Sequence, residues 1–187
     1  MKKQPEITDA TRQELISAFW SLYEKKRIEE IRIKEITDLA HYHRGTFYEY
    51  FMDIYDLLNR EEEGIIRQIL DEAPELQSVG MDDLIKQIAD IYLRIGNKLC
   101  LLIGEGGDPQ FMHKLRNTLY QAFLKNKTLP STSAISIVFD FTIHGLIMAF
   151  YSWYTSKDRL PVDNFLKIVR LLTEKGIPQC IESVVRM

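Results

Sequence analysis

The sequence predicts an all-α fold, with three short helices in front and five or six longer ones behind. Apolar residues recur at the i, i+3, i+4, i+7 spacing of a helix face through most of the 187-residue chain. Residues that start and stop helices stand where these runs begin and end. With 45% apolar residues, the chain can bury a sizeable core as one large domain or two small ones.

The first two helices are predicted from amphipathic spacing. Thr11 and Glu14 have the spacing of a capping box, and the apolar series that follows predicts a helix from about residue 9 to 27. That series consists of Leu15, Ile16, Phe19, Leu22 and Tyr23. A second helix is predicted from Ile33 to Ala40, although the alternation of Ile31 and Ile33 with charged residues would also suit a strand.

Caps and prolines bound the next two helices. A third helix is predicted over residues 44–51. Asp53 is a good N-cap for a long fourth helix, and Asp56 suits the positive end of its dipole. Pro74 stops that helix after residue 73, and a polar loop continues to Gly80.

The remaining boundaries follow from the same signals. A fifth helix, over residues 82–103, ends at the glycine-rich stretch 104–107. Asp108 as N-cap and Pro109 in the first helical position begin a sixth, to about residue 125. After a loop over 126–133 and a seventh helix, a last helical region opens at Leu160-Pro161, with Gly176 and Pro178 expected to interrupt it.

The seventh helix raises the question of a membrane span. The segment Ala134–Thr155 is mostly apolar, but Asp140 and His144 lie near its middle. A carboxylate at the centre of a bilayer costs about 2.5–3.5 kcal/mol on insertion scales. We therefore expect a soluble helix buried on several sides, and no membrane partner.

The charge is unevenly distributed. A net charge of −3 at first argues against nucleic-acid binding. Residues 1–51, however, hold nine basic and nine acidic residues, while residues 52–187 hold 15 and 18. The acidic excess therefore lies in the later part of the chain and does not exclude DNA.

The cysteines and the start of the chain predict a cytoplasmic protein. Cys100 and Cys180 are far apart among apolar neighbours, which suits a reducing compartment. No apolar run follows the first six residues, so we expect no secretory signal.

The second and third predicted helices, joined by a tight turn, match a helix-turn-helix. The second helix of such a motif presents its first turn to base edges. Small and hydrogen-bonding residues, Arg44, Gly45 and Thr46, stand at that place, while Phe47 and Phe51 lie four apart and can pack inward.

The stretch Thr11–Leu58 resembles the DNA-binding headpiece of the tetracycline-repressor (TetR) family of bacterial regulators. The residues that carry the resemblance are Phe19 and Tyr23, the segment Ile33–Ala40, the string RGTFYEYF at 44–51, and Leu57-Leu58. It covers about a quarter of the chain closely. It implies a helix-turn-helix DNA-binding domain over residues 1–53 and a helical effector-binding and dimerisation domain over residues 54–187.

The resemblance also implies DNA contacts at seven positions. Those expected to face bases or nearby backbone are Lys34, Arg44, Gly45 and Thr46. Those expected to contact or frame phosphates are His43, Tyr48 and Tyr50.

Four residues depart from the family pattern. His41 stands where a turn glycine is usual, so we expect a side chain held at positive φ. His43 and Arg32 replace the usual Ser or Thr helix caps, at a cost of about 1 kcal/mol for the cap at His43. Ile54 replaces a common phosphate-contacting Lys. These departures bear on DNA affinity rather than on the fold.

The C-terminal part is rich in aromatic residues, which suits either a core with a dimer interface or a pocket for an apolar or aromatic effector. The candidate pocket residues are Tyr92, Phe111, His113, Tyr120, Phe139, His144 and Tyr151. The helix over 135–153 has apolar residues on more than one side, and the resemblance implies that it pairs with the 162–172 helix and their copies across a two-fold axis. The candidate interface residues are Phe141, Met148, Trp153, Phe165 and Val169.

Other chemistry is not predicted. His41 and His43 are two apart at a turn, and His113 and His144 are isolated, so we expect no metal and no cofactor. The glycines at 104–107 lack the lysine of a phosphate loop. No Ser, Cys or His lies in a nucleophile motif, so we do not expect an enzyme.

Together these features predict a homodimeric transcriptional regulator, a repressor by resemblance, that binds a pseudo-palindromic double-stranded operator. An effector or a protein partner at the C-terminal domain would control operator affinity. The alternative is a regulator that acts mainly through protein–protein contacts, like a co-activator, with weak DNA binding. A headpiece of zero net charge predicts a modest salt dependence of DNA binding.

Overall fold

The computed structural model describes residues 5–72, 81–127 and 132–185. Within these ranges the chain forms α-helices and a single 3-10 turn, Ile28–Glu30, with no strand. The helices are α1 (Pro5–Tyr23), α2 (Ile33–Leu39), α3 (Arg44–Tyr50), α4 (Ile54–Glu72), α5 (Met81–Ile103), α6 (Pro109–Lys127), α7 (Ser133–Thr155) and α8 (Val162–Val185). The predicted all-α class is confirmed, and the strand alternative before residue 36 is wrong.

The first helix begins and ends earlier than predicted. Because α1 already begins at Pro5, a residue suited to the first helical position, Thr11 lies inside the helix and is only 8% exposed. The predicted capping box of Thr11 and Glu14 is therefore wrong. Glu14 instead accepts a hydrogen bond from the hydroxyl of Tyr42, at the far end of α2.

The predicted caps of α4 and α6 are confirmed. Asp53 Oδ1 accepts the backbone N–H of Asp56, and Asp108 Oδ1 accepts that of Gln110, both at 2.8 Å. Each bond satisfies one of the N–H groups that the first turn of a helix leaves without an internal acceptor. The predicted loop over 74–80 lies outside the described residues, as do residues 128–131 of the loop predicted over 126–133. That second loop is shorter than predicted, because α6 extends to Lys127 and α7 begins at Ser133.

The last helix is continuous. The predicted interruption at Gly176 and Pro178 is wrong, since α8 extends from Val162 to Val185. This helix packs against α5 and α7, and tertiary packing can override a local helix-breaking signal.

The chain divides into two compact units. The first contains the residues up to Ile65 together with the turn Gly104–Gly107, and the second contains Ile66–Ile103 and the residues from Asp108 onward. The division predicted from the sequence is instead one of function, with a DNA-binding domain over residues 1–53 and an effector-binding domain over residues 54–187. That functional division stays a prediction.

Aromatic residues of α1 and α3 form the core of the first unit. Phe19 stacks on Tyr23 with ring centroids 5.5 Å apart, and Phe47 and Phe51 are buried from the side of α3. The indole N–H of Trp20 donates to Glu61 Oε2 at 2.9 Å, which joins α1 to α4. Helix α2 packs against both α1 and α3, and this packing stabilises two helices that are too short to be stable alone.

The core of the second unit is centred on Phe150 of α7. Its ring lies 5.2 Å from Tyr92 of α5 and 4.9 Å from Phe165 of α8, measured between centroids. Trp153 stacks on Phe165 at 4.8 Å. Offset and edge-to-face contacts of this kind add to the free energy gained by burial.

Helix α7 is buried along one face only. Its buried residues are Leu146, Ile147, Phe150 and Trp153. The other face leaves large apolar side chains 47–75% exposed, namely Ile137, Val138, Phe141 and Met148. Among the described residues it is the single helix long and apolar enough to cross a membrane by length and composition. The predicted burial on several sides is therefore wrong for the single chain.

Candidate nucleic-acid interface

The turn between α2 and α3 has the backbone of a Schellman motif. The N–H of Tyr42 donates to the carbonyl of Thr37 at 2.8 Å, and the N–H of His41 donates to that of Asp38 at 3.3 Å. His41 has φ of 59° and is the non-glycine residue with positive φ in the described ranges. The expectation of a side chain at positive φ in this turn is confirmed.

Helix α3 has one buried and one exposed face. Phe47 and Phe51 pack into the core of the first unit, whereas Arg44, Gly45 and Tyr48 are exposed. A Cβ atom added at Gly45 would meet no atom within 4 Å. The exposed face therefore allows close approach of a large partner, as the first turn of a recognition helix must.

Arg44 and Tyr48 act on this face as a pair. The Arg44 guanidinium donates to the Tyr48 hydroxyl at 3.2 Å, one helical turn away. The bond restrains a long, flexible side chain and leaves most of the five N–H donors of the guanidinium for other acceptors. Arginine in such a position can bind guanine edges or phosphate oxygens.

A carboxylate secures the start of α2. Glu35 Oε2 accepts the backbone N–H of Arg32 at 2.9 Å, and Glu35 Oε1 accepts a hydrogen bond from Lys26. These two bonds hold the pKa of Glu35 below its ordinary value, and the bond from Lys26 has the larger effect. Neither Arg32 nor His43 makes a side-chain capping bond, as predicted from the replacement of the usual Ser or Thr.

The hydrogen bond between Tyr42 and Glu14 was not predicted from the sequence. It connects α1 with the turn between α2 and α3. Tyr42 is half-buried and lies 28 positions from Glu14 in the chain. No local pattern marks a pair this far apart.

The other predicted DNA-contacting residues lie around the same motif. Lys34 on α2 and His43 before α3 are exposed, while Thr46 and Tyr50 are half-buried. A half-buried residue can frame a contact but presents only part of its side chain. The predicted contact residues that are exposed are Arg44, Gly45 and Tyr48, together with Lys34 and His43.

The predicted effector residues do not form one group. Tyr92 and Phe111 are buried in the core, His113 bonds to Asn117 at 2.9 Å, and His144 bonds to the carbonyl of Asp140 at 2.9 Å. Both histidines are exposed, and Tyr151 is half-buried.

Tyr120 and Phe139, in contrast, are brought together. Their ring centroids are 5.1 Å apart, and the ring of Phe123 lies 5.3 Å from that of Phe139. The structure therefore assembles two of the seven predicted residues, with Phe123 in addition.

The predicted interface residues divide into two sets. Phe141 and Met148 are exposed on α7, but Trp153, Phe165 and Val169 are at most 6% exposed within the chain. The latter three stabilise the second unit and offer little surface to a second copy. Their spacing along the helices did not distinguish core from interface.

Metal-ligating and thiol groups are dispersed. Within residues 5–72, 81–127 and 132–185, no three His, Cys, Asp or Glu side chains lie close enough to hold a metal ion. Burial raises the pKa of the half-buried Cys100 thiol to about 11, so this residue is a neutral thiol near pH 7. The side chain of Cys180 lies outside the described part.

The fold and this motif define a class of protein: an all-α chain with an N-terminal helix-turn-helix unit and a second, helical unit. No protein-family model and no curated protein matches the sequence. Three solved structures share the fold over most of both chains. A TetR transcriptional regulator from Streptococcus agalactiae has 19% sequence identity and a TM-score of 0.65, and the match covers 91% of this chain and 97% of that one. A TetR-family transcriptional regulator from Streptomyces coelicolor has 18% identity and a TM-score of 0.59, with 95% of this chain and 89% of that one covered. A TetR-family transcriptional regulator from Syntrophomonas wolfei has 17% identity and a TM-score of 0.69, with 91% of this chain and 98% of that one covered.

The chain therefore has the fold of the TetR-family transcriptional regulators. The resemblance noted in the headpiece sequence is confirmed at the level of the fold, and it extends to the C-terminal helices, whose sequence alone agreed only in length and helical character.

Proposed function

We propose that the protein is a DNA-binding transcriptional regulator whose α3 enters the major groove. The observation that carries this proposal is the division of α3 into a face anchored by Phe47 and Phe51 and an open face with Arg44, Gly45 and Tyr48. The three structural neighbours are transcriptional regulators, which supports the same function. Base and phosphate contacts from the open face would provide register and specificity.

The test is DNA binding by substituted full-length protein. We expect Arg44→Ala and Tyr48→Phe to abolish specific binding to DNA from upstream of the protein's own gene, measured by fluorescence anisotropy at low salt. Both side chains lie on the surface, so the melting temperature should change little. Arg170→Ala, which removes an exposed arginine of α8 with a similar i, i+4 partner, is the matched control and should bind normally.

Two results would contradict the proposal. One is the absence of sequence-specific binding by the unsubstituted dimer at low salt. The other is a large fall in melting temperature for Arg44→Ala or Tyr48→Phe, which would make those side chains structural.

Because residues 1–51 have zero net charge, we also expect a shallow dependence of affinity on salt concentration.

We further propose that the protein works as a cytoplasmic homodimer and that an effector or protein partner at the second unit changes its affinity for a pseudo-palindromic operator. Two copies of α3 in successive major grooves need a two-fold arrangement. Repression is the default mode of action. The exposed apolar face of α7 supports the dimer, since such a surface is costly in water.

The alternative function is regulation mainly through protein contacts, with weak DNA binding. The absence of a side-chain capping bond at His43, the N-cap of α3, favours it, because a less stable recognition helix binds DNA less tightly. The anisotropy experiment separates the two functions: a dimer with no preference for any upstream sequence would support the alternative.

A further inference from the structure

Tyr120 of α6 has a buried hydroxyl without a hydrogen-bond partner. The residue is 6% exposed, and its Oη finds no partner in the described part of the chain. Leaving a buried polar group unpaired is unfavourable, because the group has lost its hydrogen bonds to water. Tyr92, the buried tyrosine of α5, instead donates to the carbonyl of Ile147 at 3.1 Å. Burial alone therefore does not explain the unpaired hydroxyl of Tyr120.

The surroundings of Tyr120 are aromatic. Its ring lies 5.1 Å from that of Phe139, and the Arg116 guanidinium lies 4.7 Å from its centroid. Phe139 and Phe123, which lie 5.3 Å apart, are only half-buried. The exposed parts of these two rings offer a surface on which a flat apolar molecule can stack.

Arg116, the cation that lies over the ring of Tyr120, is already paired. Arg116 donates from Nε and Nη2 to the two carboxylate oxygens of Asp140, at 2.7 and 3.0 Å, and from Nη2 also to Ser136 Oγ at 2.7 Å. The bond to Arg116 holds the pKa of Asp140 below its ordinary value. The pair therefore stays charged, and its charges cancel, so an ionised ligand gains little here.

We propose that the Tyr120 hydroxyl is the polar anchor of a binding subsite for an uncharged aromatic compound that carries one hydroxyl or carbonyl group. A hydroxyl can donate and accept, so it can pair with either group. Phe139 and Phe123 supply the stacking surface, and the pair of Arg116 and Asp140 closes one side. The proposal rests on the proposed function, in which an effector acts on the second unit, and it names the chemical class of that effector.

The first test is direct binding of three probes to the full-length protein by isothermal titration calorimetry. We expect 2-naphthol to bind, while naphthalene, which lacks the hydroxyl, and 2-naphthoate, which is ionised, bind more weakly. Loss of one neutral hydrogen bond of about 1 kcal/mol lowers affinity about fivefold or more. We therefore expect Tyr120→Phe to weaken 2-naphthol binding by that factor and to leave naphthalene binding unchanged.

The matched control is Tyr154→Phe. The hydroxyl of Tyr154 already donates to Asn97 Oδ1 at 3.0 Å, so its removal should leave 2-naphthol affinity unchanged. The proposal is overturned if 2-naphthol does not bind the unsubstituted protein, if Tyr120→Phe binds it equally well, or if 2-naphthoate binds more tightly than 2-naphthol.

A second readout is thermal stability without ligand. Tyr120→Phe should melt at the same or a higher temperature, because it removes an unpaired buried hydroxyl, while Tyr92→Phe should melt lower because it loses the bond to Ile147. A fall for Tyr120→Phe as large as that for Tyr92→Phe would mean that its hydroxyl already has a structural partner, and the proposal would be wrong.

The two proposals fail in different experiments. DNA binding is measured on the ligand-free protein and depends on Arg44 and Tyr48, whereas probe binding is measured without DNA and depends on Tyr120. A protein that binds its upstream DNA but not 2-naphthol refutes the subsite alone. A protein that binds 2-naphthol but no DNA refutes the regulator.

Discussion

His41 holds a backbone conformation that glycine adopts without strain. A side chain at φ of 59° costs about 1–2 kcal/mol, and replacing the residue with glycine removes that strain. Part of the gain is lost again, because glycine has more conformational freedom in the unfolded chain. We expect His41→Gly to raise the free energy of unfolding by about 0.5–1 kcal/mol, measured by urea denaturation.

His41→Ala is the control for that variant. It removes the same imidazole but keeps a Cβ at positive φ, so it should give no gain in stability. Equal unfolding curves for the Ala and Gly variants would mean that the imidazole, rather than the backbone angle, sets the stability of the turn.

Gly96 of α5 packs closely against the ring of Tyr154 of α7. A Cβ atom there would lie 2.5 Å from Cε2 of Tyr154, and the Tyr154 ring is held by its bond to Asn97. We expect Gly96→Ala to lower the free energy of unfolding by about 1–3 kcal/mol through overpacking. The same change at Gly64 of α4, where no atom lies within 4 Å of the added Cβ, should stabilise by up to about 1 kcal/mol.

A difference of opposite sign between the two glycine variants is the result to look for in thermal melts. If Gly96→Ala is as stable as Gly64→Ala, the two helices can separate without cost, and the approach at residue 96 is loose.

Individual residues differ in how far the sequence could predict them. The positive φ of His41 and the inward-facing Phe47 and Phe51 follow from local position and spacing, and these predictions are confirmed. The pairing of Tyr42 with Glu14 and the unpaired hydroxyl of Tyr120 depend on how distant helices pack. Local patterns carry no information on such contacts.

At the scale of helices, the carboxylate of Asp56 stabilises the start of α4 through two hydrogen bonds. Asp56 Oδ2 accepts the N–H of Met52 at 2.9 Å, and Asp56 Oδ1 accepts a bond from Arg60 at the same distance. Both bonds lower the pKa of Asp56 from its ordinary 3.8, and the bond from the Met52 N–H has the larger effect. A carboxyl whose folded pKa is lowered stabilises the fold above its unfolded pKa and loses that stabilisation as the pH falls through the folded value.

We therefore expect the unsubstituted protein to lose stability below about pH 4 more steeply than Asp56→Asn. Urea denaturation between pH 6 and pH 3 measures both, and the two curves of stability against pH should converge at the acid end. Parallel curves across this range would show that Asp56 contributes nothing specific to the folded state.

Helix boundaries were predictable where a cap or a break is local, as at Asp53, Asp108 and residues 104–107. They were not predictable where packing overrides a local signal, as along α8, or where an earlier start displaces a later cap, as in α1. The face of α7 that packs within the chain also could not be chosen from the sequence, because apolar residues surround the helix.

At the scale of the whole molecule, the exposed face of α7 is the candidate dimer interface. We expect Phe141→Glu, which places a charge in that face, to shift the protein from dimer to monomer in sedimentation-velocity experiments. Burying an unpaired carboxylate costs several kcal/mol, whereas the exposed side chain of Phe141 leaves the folded monomer intact.

Leu93→Glu is the matched control, because Leu93 is an exposed leucine of α5 outside that face. It should leave the sedimentation coefficient unchanged. A Phe141→Glu protein that remains a dimer would place the interface elsewhere.

The membership of Gly104–Gly107 in the first unit has a consequence for protein engineering. Gly106, at φ of 91°, packs beside the side chain of Arg27, so the first unit is completed by a stretch encoded about forty codons after its main segment ends. A gene fragment that stops at residue 65 omits this stretch. A chimera that exchanges the first unit with that of another regulator must therefore transplant two separate segments. With a single crossover point, the first unit would combine residues from two different proteins.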